Sequence, residues 1–224
     1  MNAQVKSKKR VADHGEVFTA EREVNAMLDL VKQETERIDS RFLEPACGDG
    51  NFLAEILRRK LAVVLRQYGK SPADYEKYAV LAASSIYGVD ILQDNVEACR
   101  ARLFEIWDAQ YTAACKKEVN EDCRTAVRYI LARNILCGNA LSLKQVDARQ
   151  RDLPEPIIFS EWSFVGESKL KRRDFRLDEL LNDNASQPTL LTTGWEYDQE
   201  TNAYIPAPIR EYPPTYYRRV QDAE

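Results

Sequence analysis

Residues 42 to 53 run FLEPACGDGNFL, and no other stretch limits the possible folds as strongly. A short apolar segment closing on an acid reads as a buried strand. Pro45, Gly48 and Gly50 break it, and Phe52, Leu53, Ile56, Leu57, Leu61 and Val64 then recur at helical spacing as far as Gly69. A strand, a glycine turn and a helix in that order let the backbone approach a ligand closely at the carboxyl end of the strand. Taken alone, a purely structural tight turn would explain the glycines equally well.

The pattern repeats downstream. Residues from about Ala20 to Glu36 carry Val24, Met27, Leu28 and Val31 on one helical stripe ahead of the first strand, RFLE. Ser71-Pro72 restarts a helix after Gly69, SIYGVD predicts a second strand, and Asp94 is placed to cap a helix carrying Val96, Cys99, Leu103 and Ile106. A helix around Arg124 to Ala132 leads to NILCGN, a third strand, and PIIFS predicts a fourth. Strands alternating with helices predict an α/β fold, a mostly parallel sheet with helices on both faces. Asp90, at the end of the second strand, is suited to accept hydrogen bonds from ribose hydroxyls, although capping the next helix is the structural alternative. Its distance from Gly50 is twice the ~20 residues of a dinucleotide-binding fold, so spacing alone names no cofactor.

In order, HGEVFTAEREVNAMLDLV, FLEPACGDGNFL, IYGVDI and CGNAL resemble the amino-terminal half of DNA adenine methyltransferases of restriction-modification systems, over roughly residues 14 to 143. The resemblance implies a Rossmann-like fold that binds S-adenosylmethionine (SAM). It implies that Phe18 and Thr19 lie against the methionine end of the cofactor and that Glu44, Ala46, Gly48 and Gly50 surround its amino-acid portion. Asp90 would hold the ribose, Ile91 would flank the adenine ring, and Asn139 would meet the adenine amino group. Ala20 stands where the family usually has proline.

The larger departure follows the fourth strand. Where the family has N/D/S-P-P-Y/F/W, this chain has Ser160-Glu161-Trp162-Ser163-Phe164. The family loop fixes acceptors for the amine of a flipped adenine and stacks an aromatic ring on the base. Ser160, Glu161 and Trp162 are the candidate catalytic residues in that position, without the prolines that would fix the backbone carbonyl. The segment Tyr212-Pro213-Pro214-Thr215-Tyr216 superficially resembles the missing motif, but no apolar strand precedes it and an exposed polyproline piece is expected there. The lone His14 reads as a loop histidine.

The division expected is a basic tail over residues 1–13, a SAM-binding domain over 14–184 and a Pro- and aromatic-rich arm over 185–224. Five cysteines without C-x-x-C spacing argue against a disulfide framework and a zinc site. No apolar run suits a membrane span or a signal peptide, so a cytoplasmic protein is expected. With 32 basic and 36 acidic residues the net charge is −4, so only the Lys6 to Arg10 tail and the KLKRR segment (169–173), whose simplest reading is a solvated mixed-charge surface, offer local positive charge. DNA binding by the chain alone is therefore expected to be weak. The resemblance implies a modification subunit that depends on a specificity or restriction subunit. The alternatives are a non-enzymatic pseudomethyltransferase and, less favoured by Phe18-Thr19, an enzyme acting on a small molecule or protein.

Overall fold

The computed structural model describes residues 19–181, 195–198 and 203–223. Phe18, His14 and the basic tail lie outside the described residues. The chain is a mixed α/β protein. A helix α1 (Glu21–Asp29) and a single turn α2 (Lys32–Thr35) precede strand β1 (Phe42–Glu44), so the single expected stripe is broken after Asp29. Helices α3 (Asn51–Tyr68) and α4 (Pro72–Ser84) lead to β2 (Ile86–Asp90), then α5 (Gln93–Cys115), α6 (Glu121–Asn134) and β3 (Ile135–Cys137). Ser71 caps α4 as its sequence suggests, its hydroxyl accepting from the Asp74 amide at 3.3 Å. Leu92, not Asp94, is the residue that begins α5, and Asp94 falls in the first turn.

The three expected strands form one parallel sheet in the order β1-β2-β3, with Phe42 beside Ile86 and Asp90 beside Cys137. Alternation along β2 separates two apolar clusters. Ile86 faces the large helical core with Leu53, Leu57, Leu61, Leu103, Trp107 and Ile130. Tyr87 and Val89 face the other way, against Ile157, Phe159 and Leu177.

That second face corrects the expectation of helices on both faces. Its cover comes from an antiparallel hairpin, β6 (Ile158–Val165) and β7 (Lys169–Arg176), with one helical turn α7 (Leu177–Leu180). Before it, β4 (Lys144–Val146) pairs with β5 (Asp152–Pro156). The expected fourth parallel strand is thus the first arm of a hairpin. Between Pro156 and Gly166 the chain has no turn former, so the strand continues straight through the segment expected to be a loop. Gly166, at φ 66°, makes the turn.

Among the described carboxy-terminal residues four short strands form. β8 (Trp195–Asp198) pairs with β9 (Ala203–Pro206), while β10 (Arg210–Glu211) and β11 (Thr215–Tyr216) add to β7. Tyr212 and Tyr217 are buried, and Pro213 and Pro214 between the two short strands are exposed. A 3-10 segment (Tyr217–Asp222) packs on α6. It is fastened by Glu76, which is 1% exposed and accepts hydrogen bonds from the Tyr111 and Tyr217 hydroxyls and from Arg218.

Gly50 shows why the turn needs glycine. Its φ is 89°, and a Cβ there would stand 2.7 Å from the Cys99 sulfur. Gly50→Ala is expected to lower the unfolding free energy by roughly 1–3 kcal/mol, from the left-handed backbone and the steric contact together. Urea denaturation checks this.

Candidate functional site

The glycine turn leaves β1 at Glu44 and re-enters helix at Asn51. The Cys47 amide donates to the Val89 carbonyl at 2.9 Å, which carries the β1–β2 pairing past the strand end. Gly48 then turns at φ 53° and its amide donates to Asp90 Oδ2 at 2.9 Å. The other oxygen of Asp90 accepts from the Leu92 amide at 2.9 Å and from Asn95 Nδ2 at 3.2 Å. One carboxylate therefore joins the glycine turn to the start of α5. It does part of the helix-terminal work that the structural alternative gave it, and it still faces the cleft.

That cleft has a volume of about 450 Å³ and lies at the carboxyl ends of the three parallel strands. Of the residues assigned to a cofactor by resemblance, Thr19, Glu44, Ala46, Gly48, Asp90, Ile91 and Asn139 all line it. Gly50 does not, because it sits behind the turn against Cys99. Asn51, Phe52 and Asn95 line it as well, though the sequence reading passed over them. For Asn51 and Asn95 the signal is positional, a polar side chain in the first helical turn after the glycine turn or the strand-end acid. Asn51 Nδ2 donates to the Thr19 carbonyl at 3.2 Å, and Arg102 donates to Asn51 Oδ1 at 2.7 Å, so the amino-terminal segment is tied to the head of α3.

The electrostatics of the cleft are divided. Burial pushes the Glu44 carboxyl above its ordinary value, opposed by a hydrogen bond from the Ala46 amide. A hydrogen bond with the Cys99 thiol and burial hold the Cys47 thiol far above the usual thiol range. No side chain caps α3 at Gly50, so its first amides remain available to an anion at the positive end of the helix. Asn139 is occupied within its own loop. Its carbonyl oxygen accepts from the Leu141 amide at 3.0 Å and its amide donates to Asp152 at 2.9 Å.

Ser160, Glu161 and Trp162 require a correction. They lie inside β6, paired with Asp174, Arg173 and Arg172, and none of them lines the cleft. Alternation along a strand sends Ser160 and Trp162 to one side and Glu161 to the other, so the three cannot converge on one base. Each is also committed to a partner. Ser160 donates to Asp174 at 2.7 Å, Glu161 takes Arg41 at 2.5 Å and Arg173 at 2.9 Å, and the Trp162 ring nitrogen donates to Asn134 at 2.9 Å. The KLKRR run is not a solvated surface either. Arg172 is 4% exposed and forks onto Asp174 at 2.8 and 2.7 Å, and Lys171 pairs with Glu211 at 2.8 Å.

Among curated proteins the chain is similar to DNA methyltransferase A of Bacillus subtilis strain 168, with 25% identity over 144 residues. The match covers 62% of this chain and 16% of that protein, so the chain spans about a sixth of its relative's length. It supports a relationship to DNA methyltransferases. No protein-family profile matches the chain, and no solved structure does. Among the described residues no helix is long and apolar enough to cross a membrane.

The buried setting of Trp162 yields an expected outcome. Trp162→Ala removes a ring that is 4% exposed and packed against Tyr129, and should cost about 3–5 kcal/mol of stability. Chemical denaturation measures the cost. In the fraction that stays folded, ligand affinity at the cleft should be unchanged.

Proposed function

We propose that the chain is a SAM-binding, DNA adenine methyltransferase-like module with a Rossmann-like core, acting in the cytoplasm as a modification subunit of a restriction-modification system. The observation that carries this is the convergence of two strand-end carboxylates, Glu44 and Asp90, with an uncapped helix start around one cleft. The donor set suits the cofactor. The α3 amino terminus can take a carboxylate, Glu44 an ammonium, and Asp90 the hydroxyls of a ribose. SAM, when bound, supplies an electrophilic methyl group. The chain's own residues bind and orient: Asn51 secures the Thr19 segment over the cleft, and Ile91 and Leu92 offer apolar contact to a base.

The acceptors that would align a target adenine are not provided by Ser160 to Trp162, whose places in β6 leave them outside the cleft. In this reading another polypeptide, a specificity or restriction subunit, completes the catalytic loop and reads the DNA. The same observation favours a second reading, a pseudomethyltransferase that binds SAM as a regulatory or assembly subunit and transfers nothing.

Two measurements test the proposal. Asp90→Ala should weaken SAM binding in calorimetry by about 1.5–3 kcal/mol, the range for hydrogen bonds to a charged group. Its thermal melt, compared with the parent chain, shows whether the turn has kept its fold. Unchanged affinity in a folded variant would remove the cofactor assignment. Transfer from labelled SAM to unmethylated DNA should be negligible for the purified chain and should appear when the proteins encoded beside it are added. Silence in both arms selects the pseudomethyltransferase, and efficient transfer by the chain alone would refute the need for a partner.

A further inference from the structure

A second cavity, of about 670 Å³, opens beside β3 and the hairpin, where Arg133, Arg172 and Arg210 line one space with Tyr212. Asp174 is the carboxylate in the lining, and Arg172 occupies both its oxygens at 2.8 and 2.7 Å. The Arg172 and Arg210 guanidiniums both lie over the Tyr212 ring, 4.1 and 4.5 Å from its centroid. Glu211, next in sequence to Arg210, is held by Lys171 at 2.8 Å. Arg210 is exposed, forms no ion pair among the described residues, and lies with its guanidinium over the ring.

With no carboxylate on it, the Arg210 guanidinium keeps its donors open to an anion that enters the cavity. Arginine forks match a phosphate with paired hydrogen bonds. The cavity is far larger than one phosphate, and Leu136, Ile158 and Ile209 give it an apolar wall. Cys137 lines this cavity, while Gly138 and Asn139, the next two residues, line the cofactor cleft, so the two spaces flank the end of β3.

We propose that this cavity binds the phosphate of a nucleotide unit, with the sugar and base against the apolar wall and Arg210 as the principal contact. The site is separate from the cofactor cleft and does not depend on the SAM reading. A nucleic-acid strand and a free nucleotide share this chemistry, and the experiment tells them apart.

The probes are a fluorescent single-stranded oligodeoxynucleotide, adenosine monophosphate and inorganic phosphate, each titrated into the full chain and into Arg210→Ala and Arg210→Lys. Arg210 is exposed, so both variants should fold. For the probe that the site accepts, Arg210→Ala should lower affinity roughly tenfold or more, with partial recovery in Arg210→Lys. If the strand binds, Arg210→Ala should also flatten the dependence of log affinity on log salt by about 0.7 per lost phosphate contact. Arg210-dependent binding of the oligonucleotide supports a strand site, and Arg210-dependent binding of the monophosphate alone supports a free-nucleotide site. Inorganic phosphate binding as tightly as the monophosphate would overturn the nucleotide assignment, and equal affinity of Arg210→Ala for every probe would overturn the site. SAM affinity, measured in the same variant, should stay at the parent value. Loss of nucleotide binding with SAM binding intact therefore separates this site from the cofactor cleft.

Discussion

The architecture around the cleft depends on one carboxylate. Asp90 accepts from Gly48 in the turn, from Leu92 and from Asn95, while its own carbonyl accepts from Gly138 at 3.0 Å. Three segments far apart in sequence are thereby held at the carboxyl ends of neighbouring strands. Hydrogen bonds to a charged acceptor are stronger than neutral ones, so this clasp keeps the walls in place before any ligand arrives. Binding then has little backbone to order, and more of the contact energy remains as affinity.

Much of this was legible in the residues. The strand-turn-helix run at 42–69, the acid-ended strand at 86–90 and the Ser71-Pro72 helix start each follow from local rules, and each is present. Most of the cleft could be placed because its residues sit at strand ends and turns, where spacing along the chain fixes position in space. The hairpin was harder to read. PIIFS has the apolar character of a buried parallel strand, and only the pairing partner decides its direction. That partner, KLKRRDFR, looks like surface when counted by charge. Its burial depends on Arg172 meeting Asp174 and on Arg173 meeting Glu161 across the strand, contacts that no single-residue property announces.

The ionic hairpin also changes what its acids and bases are for. Glu161, 7% exposed between Arg41 and Arg173, ties the second face of the sheet to the segment leading into β1. Because Glu161 is buried, losing its arginine partners would leave a costly unpaired charge. These pairs fix which strands may meet. The segment that resemblance made a catalytic loop is therefore a register device. Chemistry at the cleft, if it occurs, must draw its base-binding groups from elsewhere.

Glu76 carries a different implication. Its buried carboxylate waits for Tyr217 and Arg218, 141 and 142 residues further along the chain. Contacts so distant in sequence form late, because a long loop must close before they give anything back. During synthesis, the helical layer emerges from the ribosome with an acid in its core whose basic partner is not yet made. Until it arrives, that acid must stay hydrated, and the layer must remain loose enough to allow it. The helices can form early in the life of the nascent chain, but their final packing waits for Tyr217 and Arg218.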